Sequence, residues 1–74
     1  MEIQNTETGK VATELRAELA RRKMSGRAFA KASGVTNAYM TRRLSGEVAM
    51  TVDDLTLFAA VLNVPVTRFF PEAA

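Results

Sequence analysis

A chain of 74 residues, 47% hydrophobic and 24% charged, suffices for one globular domain around one small core. It has no cysteine and no histidine, which excludes a disulfide framework, thiolate chemistry, the usual zinc ligands and the commonest general base. The net charge of +2 conceals segregation: residues 1–9 carry −2, residues 10–46 carry nine Lys or Arg against Glu14 and Glu18 for a net +7, and residues 47–74 carry −3.

The longest apolar runs fall far short of the roughly 20 residues that span a bilayer, so no membrane segment is expected. The opening MEIQNTETGK is polar and acidic where an export signal is basic and then apolar, so a cytoplasmic location is expected. No cofactor, metal or small-molecule substrate is implied by any motif. Residues 1–8 are expected to form a flexible N-terminal arm, and residues 9–74 one domain.

The first helix is predicted from about Thr8 to Arg22. Val11 or Ala12, Leu15 and Leu19 recur at helical spacing, with Arg16, Arg21 and Arg22 turned outward and Met24 closing the helix against the core. Ser25 is a good cap for a second helix through about Ala32, with Phe29 and Ala30 facing inward, and Gly34 supplies the left-handed stop. Thr36 caps a third helix. Met40 and Leu44 lie on one side of it, while Ala38, Thr41, Arg42 and Ser45 fall on the other at about 100° per residue. Two short helices, a tight turn and a basic outward face make a helix-turn-helix, and the +7 segment containing it is the electrostatic footprint of a polyanion binder.

A loop from Glu47 to Met50 follows Gly46. Thr51 then caps a fourth helix with Asp53 and Asp54 in its first turn, where carboxylates complement the helix dipole. Its apolar positions are Val52, Leu55, Phe58 or Ala59, and Leu62, and Asn63 ends it. Pro65 to Phe70 is predicted as a short fifth helix, with one of Phe69 and Phe70 completing the core and the other a candidate dimer contact. The expected class is all-α, a compact five-helix domain with helices 2 and 3 forming the helix-turn-helix.

This order of elements resembles the phage repressor and Cro-type helix-turn-helix family, also called the XRE family, whose fold is lambda-repressor-like. The resemblance covers about residues 11 to 70. It is carried by Met24-Ser25, Phe29-Ala30, Gly34-Val35, Met40, Gly46, Leu55, Phe58-Ala59, Leu62-Asn63-Val64 and Phe69-Phe70 together. It implies that the third helix enters the major groove of double-stranded DNA, with Asn37, Ala38, Thr41 and Arg42 meeting base edges. Arg42 is the leading candidate for direct readout, since a guanidinium can bond guanine O6 and N7 together. A helix-end hydrogen bond is the alternative for Asn37. Phosphate contacts fall to Arg27 and the Gly26 amide at the start of the second helix, and to Ser45, Arg43, Tyr39 and Arg22. Tyr39 can equally pack its ring against the fourth helix.

Three positions depart from the family pattern. Gly26 stands where glutamine is common, Arg43 where an apolar residue is frequent, and Glu47 where a phosphate-seeking lysine is frequent. The function expected is a small Cro-like repressor acting as a homodimer on an inverted-repeat operator. The alternative is an antitoxin or immunity-type module that uses the same fold to hold a protein partner, with Val48, Met50, Val66, Phe69 and Phe70 as its adhesive residues. An enzymatic role, with Ser25 as nucleophile and Lys23 or Lys31 as base, has no positioning motif behind it, and capping accounts for Ser25.

Overall fold

The computed structural model describes residues 7–69, and every regular element among them is helical. Four α-helices, α1 (Glu7–Arg21), α2 (Gly26–Ser33), α3 (Asn37–Ser45) and α4 (Val52–Leu62), are followed by a 3-10 turn at Val66–Phe69. No helix among the described residues is long and apolar enough to cross a membrane. Glu7 and Thr8 are already helical, so α1 takes in the end of the segment expected to be an arm, whose remainder lies outside the described residues.

The helix starts are chemically determined. The Ser25 hydroxyl accepts from the Ala28 amide, Thr36 from the Tyr39 amide and Thr51 from the Asp54 amide, each at 3.0 Å. In α4 the cap is reciprocal, because the Thr51 amide donates to Asp54 Oδ2 at 3.0 Å. Three helix ends share one design. Lys23, Gly34 and Asn63 are left-handed, with φ of 56°, 77° and 59°. The amide after each reaches back to close the last turn: Met24 to the Leu19 carbonyl, Val35 to Ala30 and Val64 to Ala59. The residue making that bond is apolar every time, and Met24, Val35 and Val64 all pack against the core.

Phe29 of α2, Phe58 of α4, Phe69 of the turn, Leu15 of α1, Met40 of α3 and Leu62 of α4 are the largest fully buried side chains. Phe29 and Phe58 meet with ring centroids 5.2 Å apart, tilted by 55°. Every element therefore supplies at least one of these largest side chains, and α4 supplies two. The predicted fifth helix is instead the four-residue 3-10 turn, which is long enough to insert Phe69; Phe70 lies outside the described residues.

Val52 corrects the expected apolar face of α4. It is 79% exposed, because as the first residue of the helix it projects past the core edge, and the capping box turns Asp54 inward in its place. Arg16, Arg21 and Arg22 are exposed as expected, and each also makes a bond within the domain. Arg16 donates to the Leu44 carbonyl, and Arg21 and Arg22 bond Glu18.

Candidate nucleic-acid interface

The α3 helix stands at the edge of the core with three different faces. Met40 is buried and Leu44 half-buried against α1 and α2. Tyr39 and Arg43 face α4. Asn37, Ala38, Thr41, Arg42 and Ser45 are exposed, and at about 100° per residue they span an outward arc of about 140°. No side-chain bond engages Asn37, because Thr36 performs the cap that was the alternative use for Asn37.

The ten basic residues divide into two sets. Arg21, Arg22 and Arg68 converge on the buried Glu18 at 2.7, 2.7 and 3.2 Å. Arg43 pairs with Asp54 at 3.2 Å, and Arg16 holds the carbonyl of Leu44 and the hydroxyl of Thr13. Lys10 is also engaged. Lys23, Arg27, Lys31 and Arg42 are exposed and carry no side-chain bond. An unpaired guanidinium keeps all its donors available to a ligand and costs no internal contact when recruited.

Arg27 lies in the first turn of α2, where backbone amides lack partners within the helix and the dipole favours an anion. Beside it Gly26 has a structural reason for lacking a side chain. A Cβ there would meet Leu44 Cδ1 at 3.2 Å, so the glycine lets α2 approach α3 closely. Ser45 is exposed, but its hydroxyl donates to the Arg42 carbonyl at 3.0 Å and accepts from the Glu47 amide at 3.2 Å, which shapes the exit from α3. The Glu47 side chain is exposed and unpaired.

Arg43 and Tyr39, expected at phosphates, are turned toward α4. The Tyr39 hydroxyl donates to Asp54 Oδ1 at 2.5 Å, and the Arg43 guanidinium lies 3.9 Å from the Tyr39 ring centroid. The alternative use of Tyr39, packing toward the fourth helix, is the one the structure displays. Burial is the largest influence on Asp54 and favours its neutral form, but the bonds from Tyr39, the Thr51 amide and Arg43 together hold its pKa below the ordinary value. The Asp54 carboxylate in turn raises the Tyr39 phenol. Glu18 is held down to about 2 by the hydrogen bonds from Arg21 and Arg22, against the opposing effect of burial.

Sequence reasoning assigned neither Glu18 nor Asp54 a partner. Glu18 was findable, since Arg21 and Arg22 follow at the three- and four-residue spacings that pair on a helix. For Asp54 the capping spacing from Thr51 was visible, whereas its bonds to α3 depend on tertiary placement. Among the described residues no cluster of acidic side chains could hold a metal ion.

The comparisons with known proteins agree with this architecture. A family model described as helix-turn-helix matches residues 15–69, which take in the second half of α1, all of α2 to α4 and the 3-10 turn. No curated protein and no solved structure matches the chain. From the family match and the helix-turn-helix geometry of α2 and α3, the chain belongs to the helix-turn-helix family of XRE type, whose members are DNA-binding transcriptional regulators.

Proposed function

We propose that this chain is a sequence-specific repressor of the Cro-like kind, binding double-stranded DNA as a homodimer on an inverted-repeat operator. The observation that carries the proposal is the set of partner-free side chains Asn37, Ala38, Thr41 and Arg42 on the outer arc of α3 beside the partner-free Arg27, in a domain where six other basic residues are already engaged. In this reading Asn37, Ala38, Thr41 and Arg42 meet base edges, with Arg42 on guanine and the Thr41 methyl or Ala38 against a thymine methyl. Arg27 and the Gly26 amide take phosphates, with Lys31 and Lys23 adding to the field. Arg43, Tyr39 and the Ser45 hydroxyl are spent on internal bonds and drop out of the phosphate set, and Arg22 contributes only the donors that Glu18 leaves free.

One domain of this size supplies roughly 600–1,000 Å² of interface, too little for a selective operator complex alone. Two copies about a two-fold axis would read half-sites about 34 Å apart. The test is a salt titration of purified protein on duplex DNA. Binding that weakens linearly in log salt supports the proposal, and no binding at about 50 mM salt, where electrostatic affinity is greatest, overturns it.

A second reading, a module that holds a protein partner, is favoured by the exposed apolar side chains Val52, Leu57 and Val66. Co-purification with a partner, retained after Arg42→Ala, supports that reading over the first.

A further inference from the structure

We infer that Asp54 is a positioning residue for the reading helix: it draws Arg43 and Tyr39 off the outer face of α3, fixes the rotation of α3 against α4, and leaves Arg42 as the arginine presented. The inference rests on the DNA-binding reading above.

Arg42 and Arg43 are adjacent in sequence and about 100° apart around the helix. Arg43 lies just past the edge of the outward arc, near enough for a long side chain to swing toward the outer face, so two neighbouring arginines leave open which guanidinium is presented. The carboxylate removes that ambiguity. Asp54 is 5% exposed, and both its oxygens are used from α3: Oδ1 accepts the Tyr39 hydroxyl, and Oδ2 accepts Arg43 Nε at 3.2 Å together with the Thr51 amide at 3.0 Å. The Arg43 guanidinium over the Tyr39 ring closes a three-membered cluster.

The cluster sits where the fold otherwise supplies little. The α3 helix packs chiefly on α1 and α2, whereas α4 packs on α2 and the 3-10 turn. Asp54 is therefore the polar tie between the reading helix and α4. At the far end of α3, Arg16 of α1 holds the Leu44 carbonyl. The two ties engage α3 from different neighbours, α4 and α1, which restrains its rotation more than either would alone. Buried networks with every polar atom satisfied specify one arrangement in this way.

The chain has one tyrosine and no tryptophan, so Tyr39 can be followed directly by ultraviolet titration. Asp54→Asn preserves shape and an acceptor for the Thr51 amide while removing the charge. The phenol is expected to titrate above the ordinary tyrosine range in the wild type and to move down toward it in the variant. At the same folded fraction, the ratio of affinity for a selected operator over an unrelated duplex is expected to fall about tenfold or more. Affinity for the unrelated duplex should hold or rise, with a salt slope steeper by up to about one as Arg43 is released. Adding Arg43→Leu to Asp54→Asn should return the salt slope to that of the wild type.

If Asp54→Asn does not fold, Tyr39→Phe and Arg43→Leu serve as the tests, each with a smaller loss of the ratio. A ratio within about twofold of wild type in the folded variants overturns the inference, as does a parallel fall of both affinities, which is the mark of a purely structural role. A wild type that binds no duplex at all defeats the DNA-binding reading itself. A wild type with clear preference and indifferent variants defeats only this inference.

Discussion

Replacing Glu18 by glutamine should lower the thermal midpoint at neutral pH by roughly 5–15 °C, on the sensitivity of about 4–8 °C per kcal/mol for domains of this size. Glu18 is buried, and three guanidiniums close on it: Arg21 and Arg22 at 2.7 Å from the same helix, and Arg68 at 3.2 Å from the 3-10 turn. The arginine side chains are 58%, 35% and 46% exposed, so solvent screens each pair and full buried-pair energies do not apply. The two local pairs contribute about 0.3–0.5 kcal/mol each and the long-range pair about 0.2–1 kcal/mol, a total of about 1–2 kcal/mol.

The same carboxylate dictates a pH dependence. Its pKa in the folded chain is depressed from the ordinary 4.5 to about 2. Stability from Glu18 is therefore fully present above the ordinary value and is lost as pH falls from there through about 2. Circular dichroism melts from pH 7 to pH 2 should show an acid limb in the wild type that is shallower in Glu18→Gln. A variant melting within about 1 °C of wild type with an unchanged acid limb would refute the reasoning.

Two further outcomes follow from the partner-free and left-handed residues. Arg42→Ala should leave stability within about 0.5 kcal/mol, having no internal partner to lose, and should relax preference at one base position by about 1–3 kcal/mol. Arg27→Ala should weaken all duplexes alike and reduce the salt slope by about 0.9, as read by fluorescence anisotropy across a salt series. Gly34→Ala should cost about 1 kcal/mol in denaturant unfolding, and purely through backbone strain, since a Cβ there meets nothing within 4 Å. Lys23→Gly should gain about 0.5–1 kcal/mol by the converse argument, because Lys23 holds a φ of 56° that glycine adopts freely.

What the residues reveal before folding is whatever chemistry is local. Ser25, Thr36 and Thr51 start helices, Gly34, Gly46 and Asn63 end them, and each does so because a hydroxyl reaches an amide a few residues on or a φ turns positive. Lys23 was the helix end that residue type concealed, for lysine seldom adopts a left-handed φ. Val52 was misplaced because the apolar period runs to the helix end while the core stops short of it. The charged residues were the least legible. Arg42 and Arg43 are the same residue type one position apart; periodicity puts Arg42 outward and Arg43 beyond the arc, but that Arg43 is tied down depends on Asp54, eleven residues beyond it. The outer arc of α3 was readable from periodicity, whereas the freedom of Asn37, Thr41 and Arg42 from internal side-chain partners was a property of the assembled helices.

The central claim, that the outer arc of α3 reads bases in the major groove, is tested most directly by selection of bound duplexes from a random pool with wild type and Arg42→Ala in parallel. The account predicts an inverted-repeat consensus with half-site centres about 34 Å, one helical turn, apart, in which the variant loses preference at a guanine in each half-site. Identical consensus sequences from the two proteins, or no enrichment by the wild type at about 50 mM salt, would contradict it.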